Sequence, residues 1–207
     1  MKVIFVAGAW GSGTSAMAGA LVKLGVTLDG PTFGTNDPRT PDSFESEAFR
    51  SLVLKYVREE NPTVVVHRRK LLDDLITLRV NMEANWNWPT DRPKRAVLKL
   101  PAASACLQEM HEAFDLRVVT MQRPVDEIRE SCRRRGWHTS YAAASDQLYE
   151  LIFRAMAELG KSHLRIAYHE LTTAPKSTLQ RTMDFLELND LAENLNAAAN
   201  FIRSPAG

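Results

Sequence analysis

The sequence predicts an α/β fold in which helices cover both faces of a central parallel sheet. Five short apolar runs are rich in β-branched residues and mostly lack polar alternation, and segments with helical spacing lie between them. Such runs suit strands buried on both faces, and strands that alternate with helices form parallel sheets. The runs are residues 3–7, 63–66, 96–100, 116–121 and 164–168. We therefore expect three layers around a mainly five-stranded parallel sheet.

The composition is that of an ordinary globular protein. Of the 207 residues, 44% are apolar and 25% are charged, which excludes disordered and collagen-like structure and favours one domain over residues 1–207. The net charge of +1 gives no reason to expect a nucleic acid partner, so any anion must bind at a local cluster. Two cysteines without paired spacing predict neither disulfides nor a cysteine zinc site, which suits the reducing cytoplasm. No segment approaches the roughly 18 apolar residues that span a bilayer, so no membrane partner is expected.

The predicted helices follow from apolar spacing. After the first run, the apolar residues at positions 17, 20, 21 and 24 share one face, and a second stripe occupies residues 148–159. A third stripe predicts a helix over residues 42–60. Two segments, 29–41 and 85–93, are rich in proline and poor in periodicity. Each is a solvated connector or a loop over the site, and the first is a candidate lid or acceptor loop.

A glycine-rich loop follows the first run directly and leads into the first helix. Residues 8–15 match the phosphate-loop spacing GxxxxGK[ST], except that Thr14 replaces the lysine. Glycines let successive N–H groups point inward, and the helix N-terminus adds positive charge where an anion can sit. We predict that Gly11, Ser12, Gly13, Thr14 and Ser15 bind a phosphate, the alternative being a glycine turn without a ligand.

Two features argue against a nucleoside-triphosphate enzyme. Such enzymes use the loop lysine on the β and γ phosphates, and a carboxylate at the end of a neighbouring strand helps to hold Mg²⁺. Here the lysine is missing, and the inner runs end in basic and neutral residues without an acid. The sequence therefore predicts no metal site at this loop.

The fourth run ends at Arg123, and Pro124 is well placed as the first residue of a helix. Ser131 lies eight residues after Arg123, about two turns into that helix. A long guanidinium and a helix hydroxyl at this spacing can converge on one phosphate, which arginine binds bidentately. The alternative for Arg123 is a surface salt bridge.

A strand, then Gly-Ser-Gly-Thr-Ser, then Arg-Pro with a serine eight residues after the arginine resembles the sulfotransferases that use 3′-phosphoadenosine-5′-phosphosulfate. Three weaker similarities extend the match, at Lys99-Leu100-Pro101, at Tyr168-His169-Glu170-Leu171, and from Asn36-Asp37-Pro38 to Glu45, where it is to bacterial and carbohydrate-type members. The resemblance implies a P-loop sulfotransferase fold. It also implies that the loop holds the 5′-phosphosulfate, and that Arg123 and Ser131 hold the 3′-phosphate.

The sequence departs from this family at Gly11, where members usually carry Lys or Arg. That cation contacts the sulfuryl group or the bridging oxygen in the family. Lys99 is the natural substitute, and Arg39, Arg68 and Arg69 are further candidates.

Sulfuryl transfer to an alcohol needs positioning, a positive charge at the leaving phosphate and a base for the acceptor proton, and it does not inherently need a metal. Lys99 is the candidate cation, unless its stem packs on the sheet edge and its head is solvated. Glu45, Glu47 and His67 are the candidate bases. The alternatives are a solvated helix face for the two glutamates and a basic surface turn for His67.

We therefore expect a sulfotransferase that moves a sulfuryl group from 3′-phosphoadenosine-5′-phosphosulfate to a hydroxyl of a carbohydrate or small metabolite. A P-loop nucleotide kinase that has lost its lysine is the second hypothesis. The third is a non-catalytic nucleotide-binding protein on a decayed sulfotransferase scaffold, which Gly11 favours.

Overall fold

Alternating strands and helices run through the chain, of which this computed structural model describes residues 1–28, 30–35, 42–58, 61–137 and 139–203. The strands are β1 (Lys2–Ala7), β2 (Thr32–Gly34), β3 (Asp42–Ser46), β4 (Val57–Arg58), β5 (Asn61–Val65), β6 (Arg95–Lys99), β7 (Asp115–Gln122) and β8 (Leu164–Ala167). The α-helices are α1 (Thr14–Leu24), α2 (Glu47–Val53), α3 (Arg68–Asn85), α4 (Leu107–Ala113), α5 (Val125–Arg134), α6 (Thr139–Ala143), α7 (Ser145–Glu158), α8 (Tyr168–Thr173), α9 (Pro175–Leu186) and α10 (Leu195–Arg203). Two 3₁₀ helices span Pro101–Cys106 and Asn189–Asn194.

The central sheet is parallel, with strand order β6-β1-β7-β8. This confirms the α/β class, but the described residues form a sheet of four strands and not five. Residues 61–65 form β5, which pairs antiparallel with β4 in a separate hairpin. Two apolar residues of the run are not buried, since Val64 is 51% and Val66 45% exposed. The prediction that this run forms a strand of the central sheet was therefore wrong.

The two faces of the sheet pack into separate cores. Along β1, Val3 and Phe5 join one core, and Ile4 and Val6 join the other. Helices α1, α9 and α10 cover the second face, and α4 and α7 cover the first. Because alternate side chains are buried on opposite faces, the strand carries no polar alternation, as the sequence predicted.

Strand β1 is the topological switch point of the sheet, because the strands that follow it are added on both of its sides. Strand β6 pairs with β1 on one side and β7 on the other, so the loops that leave β6 and β7 diverge at this point. In open parallel sheets, ligands bind in the crevice that such a divergence opens beyond the carboxyl ends of the strands. The glycine-rich loop after β1, Lys99 at the end of β6 and Arg123 just after β7 all lie at this edge.

The opposite edge of the sheet carries a network of charges that anchors the segment after α9. Lys2 Nζ lies 2.6 Å from a Glu187 carboxylate oxygen, and Arg117 contacts the other oxygen at 3.4 Å. Arg95 binds both carboxylate oxygens of Asp190, at 2.8 and 2.7 Å, and the Glu187 carbonyl at 3.2 Å. These cations hold the pKa values of Glu187 and Asp190 below their ordinary values of 4.5 and 3.8.

Acid should weaken this network. A carboxyl whose pKa is lower in the folded protein stabilises it above the unfolded pKa, and that contribution is lost as pH falls through the folded pKa. We expect Asp190→Asn to lower the melting temperature at pH 7 and the difference from wild type to shrink from about pH 5 downward. Thermal unfolding between pH 7 and pH 3 measures this, with Asp126→Asn as the control for an exposed pair. A melting-temperature difference between wild type and Asp190→Asn that is as large at pH 3 as at pH 7 would contradict a stabilising role for the ionised Asp190 carboxylate.

Candidate functional site

The glycine-rich loop curls between β1 and α1 as the sequence predicted. Ser12 Oγ donates a hydrogen bond to the Ala9 carbonyl at 2.7 Å, and the Ser12 N–H donates to the same oxygen at 3.2 Å. Gly13 precedes the first turn of α1 with φ +96°, which glycine adopts without the Cβ clash of other residues. That turn contains no acidic residue. Since the first N–H groups of a helix have no intrahelical partners, this end of α1 suits an anion.

Arg123 reaches back from the end of β7 to this loop. Its Nη1 donates to the Gly11 carbonyl at 3.1 Å, and its Nε donates to Glu127 at 2.9 Å. The guanidinium carbon lies 4.3 Å from the centre of the Tyr168 ring. The side chain is 18% exposed. The Arg123 guanidinium is therefore fixed next to the loop. Hydrogen bonds hold its Nη1 and Nε atoms, and the Tyr168 ring covers one face of its plane.

Ser131 lies on α5 next to the same glycine. It is 2% exposed, and its Oγ has no hydrogen-bond partner among the described residues. A Cβ built on Gly11 would lie 3.5 Å from this Oγ. A buried hydroxyl without a partner costs free energy unless a ligand or water bonds to it. Arg123 and Ser131, predicted to converge, thus both border Gly11.

Arg123 contacts the Gly11 carbonyl, and the structure places the arginines that the sequence suggested as substitutes elsewhere or outside the described residues. Arg68 is engaged 2.6 Å from buried Glu109, and Arg69 is 87% exposed beside Asp73. Arg39, like Asn36, Asp37 and Pro38 of the weaker resemblance, lies outside the described residues. The positive charge next to this glycine is therefore the Arg123 guanidinium.

Lys99 and Glu45, two candidate catalytic residues that are 54 positions apart, form a buried ion pair. Lys99 Nζ lies 2.6 Å from Glu45 Oε1, and the residues are 4% and 6% exposed. Lys99 pairs in register with Val6, two residues before Gly8. The pair therefore lies one strand away from the loop, on the side opposite to Arg123.

Glu45 reaches Lys99 from a strand and not from a helix. The predicted helix over residues 42–60 was wrong at both ends, because residues 42–46 form β3, which pairs with β2, and α2 spans only Glu47–Val53, with β4 following at Val57–Arg58. Phe44 has φ +56°, a strained conformation for this residue, and its N–H donates to Asp42 Oδ1 at 2.7 Å. Arg50 Nη1 occupies the second oxygen of Glu45 at 3.0 Å. Local hydrogen bonds to the Asp42 side chain thus override the helical spacing of the apolar residues.

Glu47 and His67 remain apart from this cluster. Glu47 is exposed on the first turn of α2, and His67 is exposed with φ +52° just before α3. Among the described residues, no hydrogen bond joins either side chain to the loop, to Lys99 or to Arg123. The structure brings Glu45 together with Lys99 and leaves the other two candidate bases at the surface.

Three aromatic residues that the sequence did not mark as site residues lie in the loop or contact the loop or Arg123. Tyr168 packs against Gly13, where an added Cβ would lie 2.4 Å from the ring. Trp10, within the loop, stacks on Tyr141 at a centroid distance of 4.8 Å. Tyr149 accepts a hydrogen bond from the Arg123 N–H at 3.2 Å, and burial raises its pKa. Tyr168 belongs to a quoted motif, but the sequence carried no signal for Tyr149.

Comparison with known proteins identifies the fold. Neither the protein-family models nor the curated protein sequences contain a match. Among solved structures, the sulfotransferase STF9 from Mycobacterium avium is similar, with a TM-score of 0.53 and 14% sequence identity over 95% of this chain. The chain spans 66% of the length of that sulfotransferase. At this identity the likeness shows a shared fold.

The described residues contain no group of three or more His, Cys, Asp or Glu side chains that could hold a metal ion. No helix within the described ranges is long and apolar enough to cross a membrane.

Proposed function

We propose that this chain is a sulfotransferase that moves a sulfuryl group from 3′-phosphoadenosine-5′-phosphosulfate to a hydroxyl of a carbohydrate or small metabolite. The observation that carries the proposal is the convergence of Arg123 and the unpartnered, buried Ser131 hydroxyl beside Gly11. A phosphate at that point would take the hydroxyl as a donor and the guanidinium as a counter-ion. The sulfotransferase fold of the structural neighbour supports the same conclusion.

The two ends of the donor fit different parts of the site. The first N–H groups of α1, with the Thr14 and Ser15 hydroxyls, would hold the 5′-phosphosulfate, because the helix N-terminus favours negative charge. Arg123 and Ser131 would hold the 3′-phosphate. This pair would distinguish the donor from ATP, which has a hydroxyl at the 3′ position.

Lys99 and Glu45 would serve the transfer itself. The bound donor supplies a sulfuryl group that passes as a nearly neutral unit between two in-line oxygens. Glu45 would accept the proton of the acceptor hydroxyl, and its protonation would leave the charge of Lys99 uncompensated. The positive charge of Lys99 would then be uncompensated at the moment when negative charge grows on the leaving phosphate. A buried cation lowers the barrier most at that moment.

A specific observation also favours the non-catalytic hypothesis. Gly11 lacks the usual loop cation, and Glu45 neutralises Lys99 in the free protein. Such a protein would bind adenosine-3′,5′-bisphosphate tightly but would not turn over the donor. The kinase hypothesis predicts instead that ATP binding requires Mg²⁺.

Nucleotide binding tests the proposal directly. We expect adenosine-3′,5′-bisphosphate to raise the melting temperature without metal, and ATP with Mg²⁺ or AMP to raise it less. A ligand at 100 times its dissociation constant stabilises by about 2.7 kcal/mol, which a thermal shift detects. Equal shifts from the bisphosphate and ATP, or a shift that EDTA abolishes, would refute the sulfotransferase assignment.

Removal of the Arg123 side chain should weaken the binding of adenosine-3′,5′-bisphosphate much more than the binding of AMP. We expect Arg123→Ala to weaken adenosine-3′,5′-bisphosphate binding by about 2–4 kcal/mol, because a partly desolvated phosphate loses a charged partner. AMP, which has no 3′-phosphate, should lose much less affinity. Isothermal titration calorimetry measures both, with Arg129→Ala, an exposed arginine of α5, as the control. Equal losses for the two nucleotides would show that Arg123 does not contact the 3′-phosphate.

A further inference from the structure

An exposed aromatic side chain lies next to the ion pair of Lys99 and Glu45. Phe33, on β2, is 45% exposed, whereas the other exposed large apolar side chains of the described ranges are valines and an isoleucine within residues 64–80. The guanidinium carbon of Arg50 lies 4.5 Å from the centre of the Phe33 ring. The same guanidinium donates a hydrogen bond to Glu45 Oε2 at 3.0 Å. Arg50 therefore connects a ring at the surface with the candidate base.

The hairpin of β2 and β3 holds Phe33 in place relative to Glu45. The two strands pair antiparallel, and Glu45 lies on β3. Ser43 Oγ donates a hydrogen bond to the Phe33 carbonyl at 2.5 Å, and it accepts one from the Glu45 N–H at 3.2 Å. One serine hydroxyl thus bonds to the backbone of both residues. The exposed ring and the buried carboxylate are therefore parts of one hydrogen-bonded hairpin.

The two cations that bind Glu45 differ in exposure. The Lys99 side chain, which contacts Oε1, is 5% exposed, and the Arg50 side chain, which contacts Oε2, is 20% exposed. A molecule that arrives from solvent therefore meets Arg50 and Oε2 before it meets Lys99 and Oε1. The same approach leads past the Phe33 ring, because Arg50 contacts that ring.

We propose that Phe33 and Arg50 form the acceptor subsite of the transfer reaction and that the acceptor is a pyranose sugar. The inference rests on the proposed function, because it locates the acceptor of that reaction. One face of a pyranose carries C–H bonds that pack on an aromatic ring, and the hydroxyls at its edge bond to polar groups. Phe33 supplies the apolar surface, and Arg50 and Glu45 supply the polar groups beside it.

The surroundings of Phe33 favour a sugar over an apolar alcohol. A site for a phenol or a long-chain alcohol is lined mainly by apolar side chains. The described contacts of Phe33 outlined above are instead with polar side chains, those of Arg50 and Ser43. One aromatic ring among hydrogen-bonding groups matches the mixed surface of a sugar.

The acceptor hydroxyl at this subsite lies next to Glu45 Oε2. Its oxygen forms the new bond to sulfur, and the bond between sulfur and the leaving phosphate oxygen breaks. The hydroxyl proton passes to Glu45, so that Oε2 is the oxygen that acts as the base. The contact of Arg50 with the Phe33 ring remains when the hydroxyl takes its place at Oε2.

Nuclear magnetic resonance titration with methyl glycopyranosides of glucose, galactose and mannose tests the subsite without turnover. With adenosine-3′,5′-bisphosphate present, we expect wild type to bind at least one glycoside and Phe33→Ala to bind it about five- to thirtyfold more weakly. Phe33→Tyr keeps the aromatic face and should stay within about twofold of wild type. Val64→Ala, which shortens a similarly exposed apolar side chain on β5, is the matched control and should not change the affinity.

Transfer of a radiolabelled sulfuryl group to the same glycoside gives a second readout. Phe33→Ala should raise the acceptor KM by a similar factor, leave kcat within about threefold and leave bisphosphate affinity unchanged. In an Arg50→Met background, Phe33→Ala should raise KM by a smaller factor, because the guanidinium positions the ring.

The outcomes separate the subsite from the proposed function. Binding of no glycoside, binding of 2-naphthol alone, or equal losses in Phe33→Ala and Val64→Ala would overturn the sugar subsite and leave the proposed function intact. Glycoside binding that depends on Phe33, without transfer to the glycoside or to 2-naphthol, would overturn the transfer reaction and the acceptor role of the sugar with it.

Discussion

Replacement of Lys99 by methionine is expected to lower the free energy of unfolding by about 3–5 kcal/mol, because it leaves the buried Glu45 carboxylate without the partner at its Oε1 atom. Lys99 and Glu45 are 4% and 6% exposed, so water cannot take the place of the lysine. Urea denaturation monitored by circular dichroism measures the loss. Lys99→Met/Glu45→Leu should recover most of it, since neither charge then remains buried.

Lys2→Met is a matched control for this substitution. Lys2 Nζ also lies 2.6 Å from a glutamate oxygen, on Glu187, but the two side chains are 21% and 63% exposed. An exposed pair contributes at most about 1 kcal/mol, so the control should cost far less. Similar losses in Lys2→Met and Lys99→Met would mean that burial does not govern the Lys99 pair.

The same variants separate stability from catalysis. If Lys99 acts mainly in the transition state, donor turnover with an accepted hydroxyl substrate should fall by on the order of 10²–10³ in Lys99→Met, with product-nucleotide affinity changed only a few fold. The stabilised double variant should remain inactive. Turnover within threefold of wild type in Lys99→Met would remove Lys99 from the mechanism.

Gly13→Ala is expected to destabilise the protein by about 2–5 kcal/mol and to weaken nucleotide binding. The new Cβ would lie 2.4 Å from the Tyr168 ring, at a φ of +96° that L side chains rarely adopt. Either the loop or the ring must move, and Tyr168 also supports the guanidinium of Arg123. Thermal unfolding and calorimetric titration measure the two effects.

Gly160→Ala separates the two causes of this loss. Gly160 also has a positive φ, +59°, but an added Cβ would meet nothing within 4 Å. Its replacement should cost only the backbone term of about 1–2 kcal/mol. Tyr168→Ala should relieve the steric part of the Gly13→Ala loss but not the backbone part. Equal costs at Gly13 and Gly160 would mean that the Tyr168 contact is unimportant.

Local rules predicted the elements next to the glycine-rich loop because the signals there agree. An apolar run, a glycine turn and an amphipathic helix follow one another over residues 3–24, and β1, the loop and α1 occupy those positions. The same rules failed where one sequence pattern was compatible with two different structures. The run 63–66 resembles a strand of the central sheet, but residues 61–65 pair with β4 in a separate hairpin, because strand pairing depends on residues outside the run. The stripe over residues 42–60 resembles one helix, but a helix forms only over residues 47–53, and at the start of the stripe Asp42 bonds to the backbone of Phe44 in a strand.

The sequence by itself determined the α/β class, the glycine-rich loop and the candidates Arg123, Ser131, Lys99 and Glu45, because strand ends and helix starts carry local patterns of charge and glycine. Only the tertiary structure decided which of these residues meet. It joined Lys99 to Glu45, brought Arg123 to the Gly11 carbonyl, and left Glu47 and His67 at the surface. It also brought the Tyr149 hydroxyl to the Arg123 N–H. Contacts between residues far apart in the chain depend on strand order and on helix packing across a sheet, which no local pattern encodes.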